Sequence, residues 1–314
     1  MRRLFFGHDR YSQRTERSRC LCDINLDSVA TTAARQALFE GNFEYIEDAF
    51  EKVSGVNERV HFIEAMGDWD GRPAFLSDWV SETSSPVARS ADAINCLKWA
   101  WTARGGERAD KVTQYQWDEF RKRLVPAKRL LLQAAREFED EVAVFPWLMA
   151  CCRAHSDREL EKKVFRSAVR RQPSARAVYS SGFLTHSARW FGSNSSCLRF
   201  ARRCAEIAPP GIGAEVFPLE AHWLIVDDQD DYDAVDYWRR PSVRQEILAI
   251  EKRVRHVSLK GLAAIRSAQW LAFTLYLSRD LDLAKHWFRK GGDEYLERPF
   301  HNREVFELIR DDLF

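Results

Sequence analysis

The chain has 314 residues, of which 45% are hydrophobic and 12% aromatic, a composition that can fill a core and excludes a disordered chain. Its 48 basic and 47 acidic side chains leave a formal charge of +1, so no net field favours nucleic acid or an anionic membrane. Seven cysteines cannot all pair within one chain, and we therefore predict a reducing, cytoplasmic compartment.

The N-terminal segment 1–27 has no helical period and carries six arginines before Cys20. We predict a mobile arm here, followed by one helical-repeat domain over 28–314. The apolar patch at 4–6 is shorter than the roughly 7–15 residues of a secretory signal. The longest apolar stretch, 142–152, is too short to span a bilayer, so no membrane partner is expected.

Short helical hairpins are predicted in the first half of the chain. After Ser28, apolar residues recur at helical spacing up to Gly41 and Asn42, which predict a helix end and a cap for the next helix. A similar pair, Gly67 and Asp68, follows 26 residues later. The repetition indicates a second hairpin.

The segment 81–89, SETSSPVAR, predicts a loop because it is rich in turn-forming residues. A helix over 91–103 is predicted next, and Gly105 and Gly106 are expected to end it. The pattern over 114–139 is helical but contains Pro126. Either one helix kinks there or two helices meet.

Two amphipathic patterns in the second half, 159–173 and 196–209, each end at a proline. These prolines are 36 residues apart, close to the roughly 34-residue period of tetratricopeptide (TPR) hairpins. Further helices are predicted over 214–226, 241–256, 262–277 and 282–289, and no stretch alternates as a strand would. The fold prediction is therefore all-α: about six to seven stacked hairpins in a TPR-like α-α superhelix, an α-solenoid.

The segment 189–193, RWFGS, resembles a Lys-Trp-Gly-Gly-Ser-like turn of bacterial TPR-like proteins of unknown function. The Gly-Asp-Trp-Asp turn at 67–70 agrees with this resemblance, which covers most of 30–290. Arg189 and Phe191 depart from the pattern, and the second departure argues against a role that needs an unhindered backbone there. The resemblance implies a helical-repeat fold and nothing about chemistry.

The same turn has a structural interpretation. We expect Gly192 to take a positive φ after a helix that ends near Trp190. Ser193 or Asn194 would cap the next helix, and Trp190 would fold back into the hairpin.

The acidic block 227–231, DDQDD, resembles the DDxxD motif of class I terpene synthases. Asp227 and Asp231 lie one helical turn apart, and with Asp228 they have oxygen ligands suited to magnesium. This alternative, a magnesium-dependent helical enzyme, also requires a downstream Asn/Asp, Ser/Thr and Glu triad, which 232–314 lacks. A solvated surface is therefore favoured.

Other candidate sites are weaker. Cys20 and Cys22 have no second cysteine pair to complete a zinc site. His155, His186 and His222 lie in neighbouring predicted hairpins, where they would converge on one face. The basic helix faces at 153–171 and 199–203 leave RNA binding open as a second alternative, although interspersed glutamates dilute both faces.

The hypothesis drawn from these observations is a non-enzymatic scaffold without a cofactor. It would bind a protein or peptide in a concave groove, because repeated hairpins expose such a surface. Large aromatic and arginine side chains contribute most to such contacts. The predicted anchors are Trp147, Arg189, Trp190 and Trp223.

Overall fold

The structure is a computed structural model that describes residues 29–106, 111–137, 142–227, 234–292 and 295–314. These residues form seventeen α-helices and no strand, which confirms the all-α prediction. The arm predicted over 1–27 lies outside them. No helix in this part of the chain has the length and apolar character to cross a membrane.

The described residues divide into two compact units, one up to Ser181 and the other from Gly182 onward. The helices of the first unit, the last of which continues into the second, are α1 (Val29–Phe39), α2 (Phe43–Glu51), α3 (Val56–Met66), α4 (Ala74–Thr83), α5 (Pro86–Arg104), α6 (Gln114–Glu137), α7 (Phe145–Ala154), α8 (Arg158–Arg171) and α9 (Arg176–Thr185).

In the first unit α1, α3, α5 and α7 contact one another in succession, and α2, α4, α6 and α8 pack against this row. Two apolar clusters fill the space between the helices. Helix α5 contributes to both, with Ala91 and Ile94 in one cluster and Leu97 and Ala100 in the other. It is buried over most of its length, so it is the central element of the unit.

One polar link joins parts of the first unit that are far apart in sequence. Asn57, at the start of α3, donates through Nδ2 to the Ser174 carbonyl (3.1 Å) and accepts from the Arg176 backbone N–H (2.9 Å). The first residues of α9 are thereby tied to α3. The contact spans more than 110 residues of sequence, so it adds a long-range link to the contacts between neighbouring helices of the row.

Local signals explain several helix boundaries. Asn42 accepts a hydrogen bond from the Tyr45 backbone N–H and caps α2, as its position predicted. Gly41 before it has φ +76°. The pattern predicted over 114–139 contains one helix, α6, which runs from Gln114 to Glu137 with Pro126 inside it.

The prediction of a loop over 81–89 is wrong. Helix α4 continues to Thr83 and α5 begins at Pro86, which leaves only two residues between them. Ser85 caps α5 by accepting from the backbone N–H groups of Val87 and Ala88. Pro86 occupies the first turn, where no amide hydrogen is needed, so the proline starts a helix here.

The remaining helices belong to the second unit. They are α10 (Asn194–Ile207), α11 (Phe217–Asp227), α12 (Ala234–Arg239), α13 (Pro241–Val254), α14 (Gly261–Leu277), α15 (Leu281–Gly291), α16 (Glu297–Phe300) and α17 (Arg303–Leu313), with a 3-10 turn at Ala214–Val216 before α11. Helix α14 contacts α11, α12, α13, α15 and α16. It is buried on all sides from Ser267 to Leu277, as an all-apolar helix should be.

The turn at 189–193 differs from the prediction in two respects. Helix α9 ends at Thr185, before the turn, and Gly192 does not have a positive φ. Glycine is required for another reason: a Cβ at position 192 would lie 2.0 Å from the carbonyl oxygen of His186. The cap is confirmed, because Ser193 and Ser196 form a reciprocal capping box at the start of α10.

Candidate interaction surface

Trp147, the first predicted anchor, lies at the N-terminal end of α7 and is half-buried. Its Nε1 donates to Oε1 of Glu64 on α3 at 2.8 Å. The Lys98 ammonium on α5 lies 5.1 Å from the centre of its ring, a cation–π distance. The indole is thus fixed in place by two other helices.

A second acidic residue extends this arrangement. Lys98 Nζ lies 2.6 Å from Oδ1 of Asp68, in the turn after α3. Arg35 on α1 donates to the carbonyls of Ala65 and Asp68 and stacks over Trp69, 4.1 Å from the ring centre. We call Glu64, Asp68, Lys98 and Trp147 the Trp147 cluster.

The Trp147 cluster is accessible to a partner. The side chains of Asp68, Lys98 and Glu64 are 44%, 26% and 23% exposed. The cluster therefore presents partly exposed carboxylate and ammonium groups beside the fixed indole ring.

Arg189 and Asp227, which the sequence assigned to different candidate sites, contact each other. The Arg189 guanidinium donates to the Asp227 carboxylate at 3.0 Å and to its carbonyl at 3.1 Å. Asp228 and Asp231 lie outside the described residues, so the structure does not describe the complete acidic block. No group of three or more potential metal ligands occurs in the part of the chain that the structure describes.

The other two predicted tryptophans have different surroundings. Trp190 is half-buried. Trp223 is only 7% exposed, and its Nε1 donates to the Pro299 carbonyl at 3.0 Å. Arg298 and His301 cover its ring. Trp223 is therefore a core residue and does not face a partner, because α11 is buried along almost its whole length.

The three histidines expected to converge have separate partners. His186 stacks on Phe200 with ring centres 3.9 Å apart, His222 joins the polar chain described next, and His155 lines a surface cavity of the first unit. The basic face at 153–171 also needs correction. Arg153 is 6% exposed and donates to the carbonyl and hydroxyl of Ser181, so it is not a surface cation.

A buried polar chain in the second unit was missed by sequence reasoning. His222 Nδ1 lies 2.5 Å from the Tyr237 hydroxyl, and Nε2 lies 2.9 Å from Glu246. Arg202 donates to both Glu246 oxygens at 2.7 Å. The four residues come from α10, α11, α12 and α13, and no spacing in the sequence indicates that they meet.

This chain is arranged for stability. The Tyr237 hydroxyl can donate to the imidazole, whose other N–H can donate to the carboxylate, so neutral His222 satisfies both neighbours. Burial raises the pKa of Tyr237, which keeps the phenol protonated. The network therefore joins four helices through matched donors and acceptors.

No protein-family model matches the sequence, and no curated protein matches it. The class of protein therefore has to be argued from the helical architecture and the surfaces described above.

Proposed function

We propose that the protein is a non-enzymatic α-solenoid scaffold that binds a protein or peptide partner through the Trp147 cluster. The observation that carries this proposal is the fixed, half-buried position of Trp147 between residues of α3 and α5. Tryptophan and arginine dominate binding energy when they are preorganised near the centre of an interface. Little conformational entropy remains to be lost when such a side chain is contacted.

The row of α1, α3, α5 and α7 supports the helical-repeat proposal. Successive helices of a solenoid line one surface, and side chains from several of them contact the same ligand. The Trp147 cluster takes its members from α3, its following turn, α5 and α7. A peptide crossing this row would find carboxylate acceptors for its N–H groups and Lys98 for a carbonyl or carboxylate.

Charge reversal at Lys98 tests this proposal. Tagged full-length protein, Lys98→Glu and Lys122→Glu would each be used to capture partners from cells of the source organism, followed by quantitative mass spectrometry. Lys122 is a matched control because it is 77% exposed on α6 and lies outside the cluster. Thermal unfolding by circular dichroism would verify that both variants are folded.

We expect a partner that the unmodified protein and Lys122→Glu retain and Lys98→Glu loses. With that partner purified, calorimetry should give at least about a tenfold weaker Kd for Lys98→Glu. Equal capture by all three proteins would contradict the proposed surface. Turnover of a small molecule by the purified protein would contradict the non-enzymatic assignment.

A further inference from the structure

The exposed side of α6 forms a groove that the proposed function does not use. Residues 125, 128, 129, 132, 133 and 136 follow one another at helical spacing, and together with His155 they line a cavity of about 570 Å³. The eleven residue steps from 125 to 136 extend over about 16.5 Å of helix. The groove is therefore elongated, and we call it the α6 groove.

Unbalanced positive charge is the first property of the α6 groove. Lys128 is paired with Asp157, 3.2 Å away. Arg129 and Arg136 are exposed, and no described residue forms an ion pair with either. Among the residues that the structure describes, no acidic side chain lines the cavity, so Arg129 and Arg136 give this lining a positive charge.

Apolar side chains lie on the same face as these cations. Leu132 lies between Arg129 and Arg136 and is half-buried, and Val125, one turn before Arg129, is 64% exposed. His155 in the wall is half-buried. The lining thus combines apolar contact area with cationic side chains, as binding sites commonly do.

We propose that the α6 groove binds an acidic amphipathic helix of a partner protein. Arg129 and Arg136 are seven residues apart, so their backbone positions are about 10.5 Å apart along the axis. Two carboxylates seven residues apart on a facing helix have the same separation. An apolar side chain between the two carboxylates would cover Leu132, and another one turn beyond them would cover Val125, as in other helix-in-groove complexes.

This site is separate from the Trp147 cluster and does not depend on it. The test uses full-length protein and a fluorescein-labelled, helix-forming peptide of about 15 residues, with leucines on one face and glutamates seven residues apart. A scrambled peptide of identical composition and a peptide with lysine for glutamate are the controls. Fluorescence anisotropy measures binding.

The variant Arg129→Glu/Arg136→Glu should weaken binding of the acidic peptide at least about tenfold. Val125→Asp should also weaken it, because it places a charge against the apolar face of the peptide. Arg303→Glu, at a 56% exposed position of α17 in the second unit, should change the Kd less than about twofold. Added salt should weaken binding further.

Four results would overturn the proposal. The first two are that the acidic peptide does not bind and that the scrambled peptide binds equally well. The third is that inorganic phosphate displaces the peptide through the same arginines. The fourth is that a single-stranded RNA oligonucleotide binds more tightly than the peptide and depends on these arginines. The phosphate result would assign the groove to small anions, and the RNA result would assign it to nucleic acid. Each variant is compared by circular dichroism with the unmodified protein, and Val125→Asp provides a second probe at an exposed position.

Discussion

Replacing Glu246 by Gln isolates one charge in the polar chain of the second unit. Glutamine has nearly the same shape, and its carbonyl oxygen can still accept from His222 Nε2. The ion pair with Arg202 is lost, while that guanidinium, 50% exposed, remains solvated. The substitution therefore removes the charge and leaves most of the packing unchanged.

The pKa of Glu246 sets the expected magnitude. Burial raises this pKa, but the hydrogen bonds that Arg202 and His222 donate, together with the charge of Arg202, outweigh burial and bring it to about 2, against an ordinary value of 4.5. Such a difference contributes about 3 kcal/mol to the free energy of unfolding at neutral pH. We therefore expect Glu246→Gln to lower that free energy by about 3 kcal/mol at pH 7.

The stabilisation by Glu246 decreases as the pH falls, because its pKa is lower in the folded state than in the unfolded chain. The unfolded chain takes up the proton first as the pH falls, so the contribution is fully present above about pH 4.5. It declines to about 1 kcal/mol at pH 3 and becomes smaller still at pH 2. The difference between the variant and the unmodified protein should shrink in the same way.

Urea unfolding followed by tryptophan fluorescence measures this difference. Trp238 is a suitable reporter because it is buried beside His222 and Tyr237, with ring centres 6.1 Å and 5.7 Å away. The exposed pair of Glu206 with Arg203 supplies the control, and Glu206→Gln should change stability by less than about 1 kcal/mol. An equal loss at pH 7 and pH 3 for Glu246→Gln would refute the argument.

Three further predictions concern packing. Gly192→Ala should lower the free energy of unfolding by about 3 kcal/mol, because the added Cβ displaces the His186 carbonyl and the capping box beside it. At Gly41 an added Cβ has open space and only the positive φ is unfavourable, so Gly41→Ala should lower the free energy of unfolding by about 1 kcal/mol, as measured by urea unfolding. An equal loss for Gly192→Ala and Gly41→Ala would contradict this prediction. Asn57→Ala removes two hydrogen bonds, so it should lower the free energy of unfolding by about 2 kcal/mol and speed amide hydrogen exchange over 174–180. Unchanged exchange in that segment would contradict the proposed link between α3 and α9. Burial raises the pKa of the thiols of Cys151, Cys152, Cys197 and Cys204 to about 12. These thiols should therefore stay unreactive toward a disulfide reagent at pH 8 until urea is added. Fast reaction in the native protein would contradict this prediction.

Features governed by adjacent residues were predictable from sequence. The caps at Asn42 and Ser193 and the proline at the start of α13 follow from rules that involve only a few neighbouring positions. The loop prediction over 81–89 was wrong because it used composition alone. Ser85 and Pro86 begin a helix, and a helix start and a loop can have the same composition.

Features that depend on distant residues were not predictable. Arg189, in the turn after α9, meets Asp227 at the end of α11, and the chain from Tyr237 to Arg202 joins four helices. The burial of Trp223 could have been predicted, because α11 is mostly apolar and such a helix is expected to be buried.

The bonds of Asn57 to the start of α9 bear on how such a protein can change over evolutionary time. In a linear array, duplicating one hairpin lengthens the molecule and leaves the other hairpins undisturbed. Here a hairpin inserted between α5 and α6 would move Ser174 away from its amide partner. The first unit should therefore accept substitutions within its helices more readily than any gain or loss of a whole repeat.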